Sequence, residues 1–198
     1  MSDQEKVNKT RRNLVVATSV VGGAAGVGVA LPFAASMLPS EKAKAAGAPV
    51  EVDLAAMAPG ELKVIEWRGK PVWVIRRTKE MLESLKAVAP RLVDPDSKSS
   101  TQPSYAKNEF RSEKPEWAVM EGVCTHLGCS PQLKAADTKA EMGADWVGGF
   151  YCPCHGSKFD YAGRVFRGAP APTNLVVPPY TLTEAKLVVG EDKENKGA

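Results

Sequence analysis

All the cysteine and histidine in this 198-residue chain, four Cys and two His, falls within two short stretches. The first is Cys124-Thr125-His126-Leu127-Gly128-Cys129, spaced C-x-H-x-x-C. The second is Cys152-Pro153-Cys154-His155, spaced C-x-C-H. Cysteines that merely fill a core would be scattered, so the clustering points to joint use. Thiolate and imidazole are the ligands that suit zinc, copper and iron–sulfur centres. The plain alternative is a pair of structural disulfides beside two idle histidines. Zinc could take two Cys and two His here, but the spacing is not that of a zinc finger, and zinc leaves the second cysteine of each stretch without a task.

The elements that must carry these two loops read as short strands. Gly (17) and Pro (15) are both plentiful, and 43% of the residues are hydrophobic, which suits strands joined by turns around a real core. Candidate strands are 49–54, 62–67, 71–77, 117–123, 144–151, 163–166, 175–177 and 186–189, with a hairpin turn at Arg68-Gly69-Lys70. The strands 117–123 and 144–151 lead into the two loops. One helix is predicted over 79–88, where Met81, Leu82, Leu85 and Val88 share a face and Thr78 can cap the start. Residues 89–115, rich in proline and polar residues, read as a long surface excursion. The expected fold class is all-β, antiparallel. With 26 basic and 23 acidic residues the net charge is only +3. No basic stripe carries interleaved aromatics, so no nucleic-acid partner is expected.

The first forty residues differ from the rest. Leu14 to Leu38 contains no charged residue and is long enough for a single transmembrane helix, residues 14–38. A secretory signal peptide ending at Ala43-Lys44-Ala45 is the competing reading. Arg11-Arg12 before the apolar run looks like a twin-arginine export motif within a cytoplasmic segment 1–13. Lys6, Lys9, Arg11 and Arg12 precede the run, and only Lys42 and Lys44 follow closely, which predicts a cytoplasmic N-terminus. Gly22 to Gly26 forms G-x-x-x-G, a face that lets another helix approach, or simply small filler. Residues 39–49 read as a flexible hinge linker before a domain at 50–198.

The two loops resemble the ligand boxes of the Rieske iron–sulfur proteins, and more narrowly those of the cytochrome bc complexes. The likeness covers the anchor, the linker, both boxes and the Gly168-to-Leu175 stretch, and it is loose over 78–115. It implies a Rieske-type sheet domain with a cluster-binding part at about 120–175 and one 2Fe–2S cluster. Cys124 and Cys152 resemble the thiolate ligands of one iron, and His126 and His155 the imidazole ligands of the other. Cys129 and Cys154 resemble the disulfide pair. Rieske dioxygenases and their ferredoxins generally lack that pair, so it favours the quinol-oxidising branch.

Ser157 stands where the family's serine donates to a cluster sulfide. Phe159 departs from the family's tyrosine. Gly168, Pro170 and Pro172 resemble the proline loop that covers the cluster, and Leu127 resembles the exposed tip. The implied role is electron transfer from quinol to a cytochrome c-type haem, with His155 taking the hydrogen bond and proton. The implied partners are a cytochrome b subunit, a cytochrome c-type subunit and ubiquinol or a related quinol, in a dimeric complex. The implied location is the bacterial inner membrane, with the Rieske domain periplasmic. A membrane-tethered carrier that does not act on quinol is the alternative.

Overall fold

The computed structural model describes residues 8–192 of the chain, which divide into two compact units between Ala45 and Ala46. Expectations for residues 1–7, Lys6 among them, lie outside the described residues.

The first unit is dominated by α1 (Lys9–Ala35). Asn8 caps it by accepting from the backbone N–H groups of Thr10 and Arg11, which fills two of the donors a helix start leaves open. Its most apolar 18-residue window has a mean hydropathy of 2.0. At 1.5 Å per residue it is about 40 Å long, enough to cross a hydrocarbon core of about 30 Å. None of its residues is buried, so Leu14, Val20, Val29 and Phe33 all stand exposed. An apolar surface on every side calls for lipid or another helix. Thr18 returns its hydroxyl to the Leu14 and Val15 carbonyls, so that this polar group is satisfied within the helix. Within the stretch expected as a linker, Glu41–Ala46 forms a short helix, α2.

The second unit is a stack of antiparallel sheets. Strands β1 (Val50–Asp53), β2 (Leu62–Trp67), β3 (Lys70–Arg76), β4 (Trp117–Glu121), β5 (Gln132–Lys134), β6 (Gly149–Tyr151), β7 (Lys158–Phe159), β8 (Tyr180–Leu182) and β9 (Lys186–Val189) form three three-stranded sheets, ordered β1-β9-β8, β2-β3-β4 and β5-β6-β7. The middle sheet is covered on both faces, and strand periodicity decides what covers each. Val72 and Val74 of β3 and Val119 of β4 point to one face, against Val52, Leu187 and Val189. Trp73, Ile75, Ala118 and Met120 point to the other, against Phe150, Phe159, Cys124, Cys152 and Leu85. Trp73 stacks on Phe150 with ring centroids 4.7 Å apart. The two predicted ligand loops therefore hang from the second face of this sheet, where β3 and β4 are mostly buried and β2 forms its more exposed edge.

Helix α3 (Lys79–Val88) runs over the expected residues, and Thr78 caps it through Met81 N–H. The Arg68-Gly69 turn between β2 and β3 places both residues at positive φ, 52° and 72°, as a two-residue hairpin demands.

Several expected strands are corrected. Residues 163–166 make only isolated bridges, Val165 with Phe159 and Phe166 with Leu92. Residues 175–177 form no strand, because the backbone N–H groups of Leu175 and Val177 go to separate partners, Gly163 and Thr101. The expected strand 144–151 shortens to 149–151, and Gly148 just before it takes a positive φ of 95°. Strands β5, β7 and β8 were not foreseen. The excursion 89–115 is less a surface feature than expected: Leu92, Ser97, Ala106, Arg111 and Ser112 are buried, and it carries two short 3-10 turns, Ala89–Arg91 and Ser104–Ala106.

Burial also raises three tyrosines. Tyr105 gives its hydroxyl to the Tyr180 carbonyl, and Tyr180 takes Glu113 N–H on its own hydroxyl. Desolvation holds the phenols of Tyr105 and Tyr161 above their usual value and pushes Tyr180 up to about 12. A raised acid pKa means the stability owed to these neutral phenols is complete below the unfolded value, about pH 10, and lost as pH rises through the folded values. Phenolate absorbance should lag behind an unfolded control until about pH 12 and then rise together with loss of near-UV dichroism. Ionisation in step with the unfolded control at pH 10 to 11 would contradict this burial.

Candidate metal centre

The two cysteine–histidine stretches fold as the same loop twice. In the first, Cys124 N–H donates to the Cys129 carbonyl at 2.8 Å and Gly128 N–H returns to the Cys124 carbonyl at 2.9 Å. In the second, Cys152 N–H donates to the Ser157 carbonyl at 2.8 Å and Gly156 N–H returns to the Cys152 carbonyl at 2.9 Å. Gly128 and Gly156 hold φ of 83° and 79°, with open space where a Cβ would sit. Conformation, not room, requires glycine at both. The matching positions pair Cys124 with Cys152, His126 with Cys154, Leu127 with His155 and Cys129 with Ser157.

The loops are joined. Cys129 and Cys154 form a disulfide with Cα atoms 6.6 Å apart, and Cys124 and Cys152 remain free and buried. The Sγ atoms of Cys129, Cys152 and Cys154 lie within 4.8 Å of one another. Two of these are bonded to each other, so only Cys152 of the three offers a thiolate. The rings of His126 and His155 meet edge to face, 4.7 Å between centroids. His126 is half-buried and His155 exposed.

The free donors fit a 2Fe–2S cluster held by two thiolates and two imidazoles. The Nδ1 atom of His126 is buried and has no hydrogen-bond partner, a costly state for a ring nitrogen unless something ligates it. The Cys124 thiol is pushed up chiefly by burial, which outweighs the pull of the His126 backbone N–H, with the neighbouring Cys152 sulfur adding to the rise and the Ser157 hydroxyl opposing it. Two thiolates side by side in an apolar pocket need a cationic centre between them.

Around the loops sit the remaining predicted residues. Ser157 is fully buried and its hydroxyl accepts from Ala171 N–H at 3.1 Å. Phe159 is fully buried in the apolar cluster that includes both free cysteines. Gly168, at φ 77°, opens the proline segment, in which Pro170 and Pro172 are exposed and Ala171 between them is buried. Leu127 is 71% exposed.

Thr125 was not singled out from the sequence, yet its hydroxyl donates to the Thr173 carbonyl at 2.7 Å. Each loop thus holds the proline segment by one side-chain hydrogen bond, the first through Thr125 and the second through Ser157.

A buried polar network lies just beyond the second loop. Asp160 accepts from Ala162 N–H, Arg164 N–H and Arg164 Nε, the last at 2.7 Å, with both side chains 1% exposed. Arg164 goes on to the carbonyls of Pro95 and of Leu85 in α3. Arg111 reaches the Ala162 carbonyl and Gln102, and Arg77 reaches the carbonyls of Phe110, Pro115 and Trp117. Burial lowers the pKa of Arg77 and Arg111 to about 10 each, and Asp160 is the strongest charge opposing that. The excursion 89–115 is held down by these guanidiniums. The sequence signal was an Asp and an Arg four residues apart around Gly163, a turn that lets one carboxylate meet both backbone and guanidinium.

Comparison with known proteins shows the family. Residues 107–181 match the family model described as the Rieske [2Fe-2S] domain, and residues 1–40 match the one described as the ubiquitinol-cytochrome C reductase Fe-S subunit TAT signal. The chain is 54% identical over 189 residues to the ubiquinol-cytochrome c reductase iron-sulfur subunit of Allochromatium vinosum, spanning 94% of this chain and 91% of that one. It is 40% identical over 193 residues to the same-named subunit of Blastochloris viridis, spanning 96% and 98%. A solved chain titled as a hyperthermophilic respiratory Complex III is 27% identical, with a TM-score of 0.48, over 87% of this chain and 98% of that one.

Proposed function

The chain belongs to the Rieske iron–sulfur proteins, among the bacterial iron–sulfur subunits of ubiquinol–cytochrome c reductases, and on that premise we propose that it draws electrons from quinol and delivers them to a cytochrome c-type haem. Cys124 and Cys152 would hold one iron of the cluster, and His126 and His155 the other. When bound, such a cluster supplies a one-electron acceptor at roughly −150 to +300 mV, well above all-cysteine clusters. The observation that carries the reading is the burial gradient across the donor set: both free cysteines are buried, His126 is half-buried and His155 is exposed.

The residues then divide the work. The thiolate end is sealed from water by Phe150, Phe159 and Ala171. His155 at the open end accepts a hydrogen bond from the quinol hydroxyl and takes its proton at Nε2. Leu127, exposed beside it, enters the quinol pocket of a cytochrome b partner. The apolar helix α1 anchors the subunit in the bacterial inner membrane, with the N-terminus cytoplasmic and the Rieske domain periplasmic. The disulfide suits that oxidising side, and the twin-arginine segment suits export after the cluster is loaded. The 39–49 segment lets the domain move between its two partners in a dimeric complex.

The deciding experiment combines low-temperature EPR of the ascorbate-reduced protein with turnover of the assembled complex. A rhombic spectrum with average g below the free-electron value is expected with this mild reductant. Leu127→Ala should leave that spectrum and the iron content unchanged and slow quinol-dependent cytochrome c reduction by about tenfold, the effect of losing one well-packed contact worth about 1.4 kcal/mol. A signal seen only after a strong reductant, or no quinol-dependent turnover by the wild-type complex, would favour the tethered carrier, and full turnover in the variant would remove Leu127 from the quinol contact.

Phe159 bears on the potential. A phenylalanine offers no hydroxyl to a ligand sulfur, leaving more negative charge there, so the potential should lie in the lower part of the range for this type. Phe159→Tyr should raise it by about 40–60 mV, the equivalent of one hydrogen bond of about 1–1.5 kcal/mol. An unchanged or lower midpoint in redox titration would refute the assignment.

A further inference from the structure

Away from the ligand loops, a cleft on the same domain gathers three basic side chains against a single acid. Its narrower part, about 160 Å³, is lined by Arg91, Trp146, Lys158 and Phe166, among others. Its wider part, about 480 Å³, shares Arg91, Lys158 and Phe166 and adds Pro90 and Arg167. One water occupies about 30 Å³, so there is room for a phosphate and an attached group. Among the described residues, none of the three cations has a carboxylate partner, and Asp145 is the one acid on the lining.

The cations are nevertheless held in place. Arg91 Nη1 donates to the Asp145 carbonyl, Lys158 Nζ to the Met142 carbonyl and Arg167 Nε to the Leu92 carbonyl. Arg91 also lies 5.3 Å from the Phe166 ring centroid, and Lys158 lies 5.8 Å from that of Trp146. Each of these bonds uses one donor of its side chain and leaves further donors for a ligand. Arg167 keeps both terminal nitrogens, the fork that matches two oxygens of a phosphate. Fixed cations around a concave site with one aromatic wall are the makings of an anion site whose ordering cost is already met.

We propose that this cleft binds the phosphate group of a small phosphate-bearing molecule, its oxygens on Arg91, Lys158 and Arg167 and any apolar part against Phe166 and Pro90. Free phosphate and a phospholipid headgroup share this chemistry.

The test is calorimetric titration of the full-length protein in nonionic detergent, at low and constant ionic strength. The probes are inorganic phosphate, dihexanoylphosphatidate and dihexanoylphosphatidylcholine. Arg91→Gln/Arg167→Gln is compared with Lys86→Gln, which changes an exposed lysine of α3 outside the cleft. Saturable phosphate binding, weakened about tenfold or more in the double variant and unchanged in Lys86→Gln, supports a free-phosphate site. Binding of the phosphatidate alone, with the same variant pattern, supports a headgroup site. Failure of both anions to bind, or equal weakening by Lys86→Gln, overturns the proposal. Near-UV dichroism confirms folding of each variant, and Arg167→Gln alone is read if the double variant does not fold.

Discussion

Asp160→Ala is expected to destabilise the folded domain by about 3–5 kcal/mol, which for a domain of this size lowers the melting temperature by roughly 6–20 °C. The carboxylate is buried and satisfies two backbone N–H groups as well as Arg164 Nε. Its removal leaves the Arg164 guanidinium charged in the interior, held only by the carbonyls of Pro95 and Leu85. It also removes the strongest opposing charge from Arg77 and Arg111, which burial already disfavours. Asp160→Asn keeps an oxygen for the backbone donors and loses the charge, so it should fall between wild type and alanine. Replacing the pair together by leucine and methionine should recover only part of the loss: it removes the unpaired charge of Arg164, but the N–H groups of Ala162 and Arg164 and the carbonyls of Pro95 and Leu85 lose their partners. Calorimetric melting of the four proteins checks the order. A melting temperature for Asp160→Ala within about 2 °C of wild type would show that the network contributes less than one kcal/mol.

The second large effect is expected at the disulfide. Cys129 and Cys154 close a loop with a sequence separation of 25, and a cross-link of that span restricts the unfolded chain by about 3–4 kcal/mol. The Cys129→Ala/Cys154→Ala variant should melt roughly 7–15 °C lower than wild type. The cross-link is also the covalent tie between two loops that otherwise meet only through their donors, so iron content after gel filtration should drop well below that of wild type. Reduction of the wild-type protein should reproduce the melting shift, while the variant should be indifferent to reductant. Equal iron retention and equal melting in the two proteins would leave the disulfide without a structural role.

Much of the site was legible because its residues are chemically rare. Cys and His occur nowhere else in the chain, so their spacing identified both loops before any element was placed. Helix α3 was legible for a related reason, since a cap and one apolar face are local signals. The short strands were harder. At 163–166 and 175–177 the residue types suit strands, but their backbone groups bond to several separate segments, which no local pattern reveals. Strand β8 follows two prolines, Pro178 and Pro179, which mask it. The network around Asp160 is opaque for the opposite reason: arginines normally read as surface, and only the tertiary fold shows that Arg77, Arg111 and Arg164 are inside.

The pairing of β1 with β9 has a mechanical side. Val50, where the chain enters the sheet stack, is registered opposite Val189 near the far end of the described chain. A pull directed along the β1 axis would meet its ladder to β9 in shear, with four residue pairs sharing the strain. That sheet rests on one face of the β2-β3-β4 layer, and the cysteine–histidine loops rest on the other. Tension along β1 would thus enter on the side of the β2-β3-β4 layer opposite the loops, with that layer standing between the load and the donors.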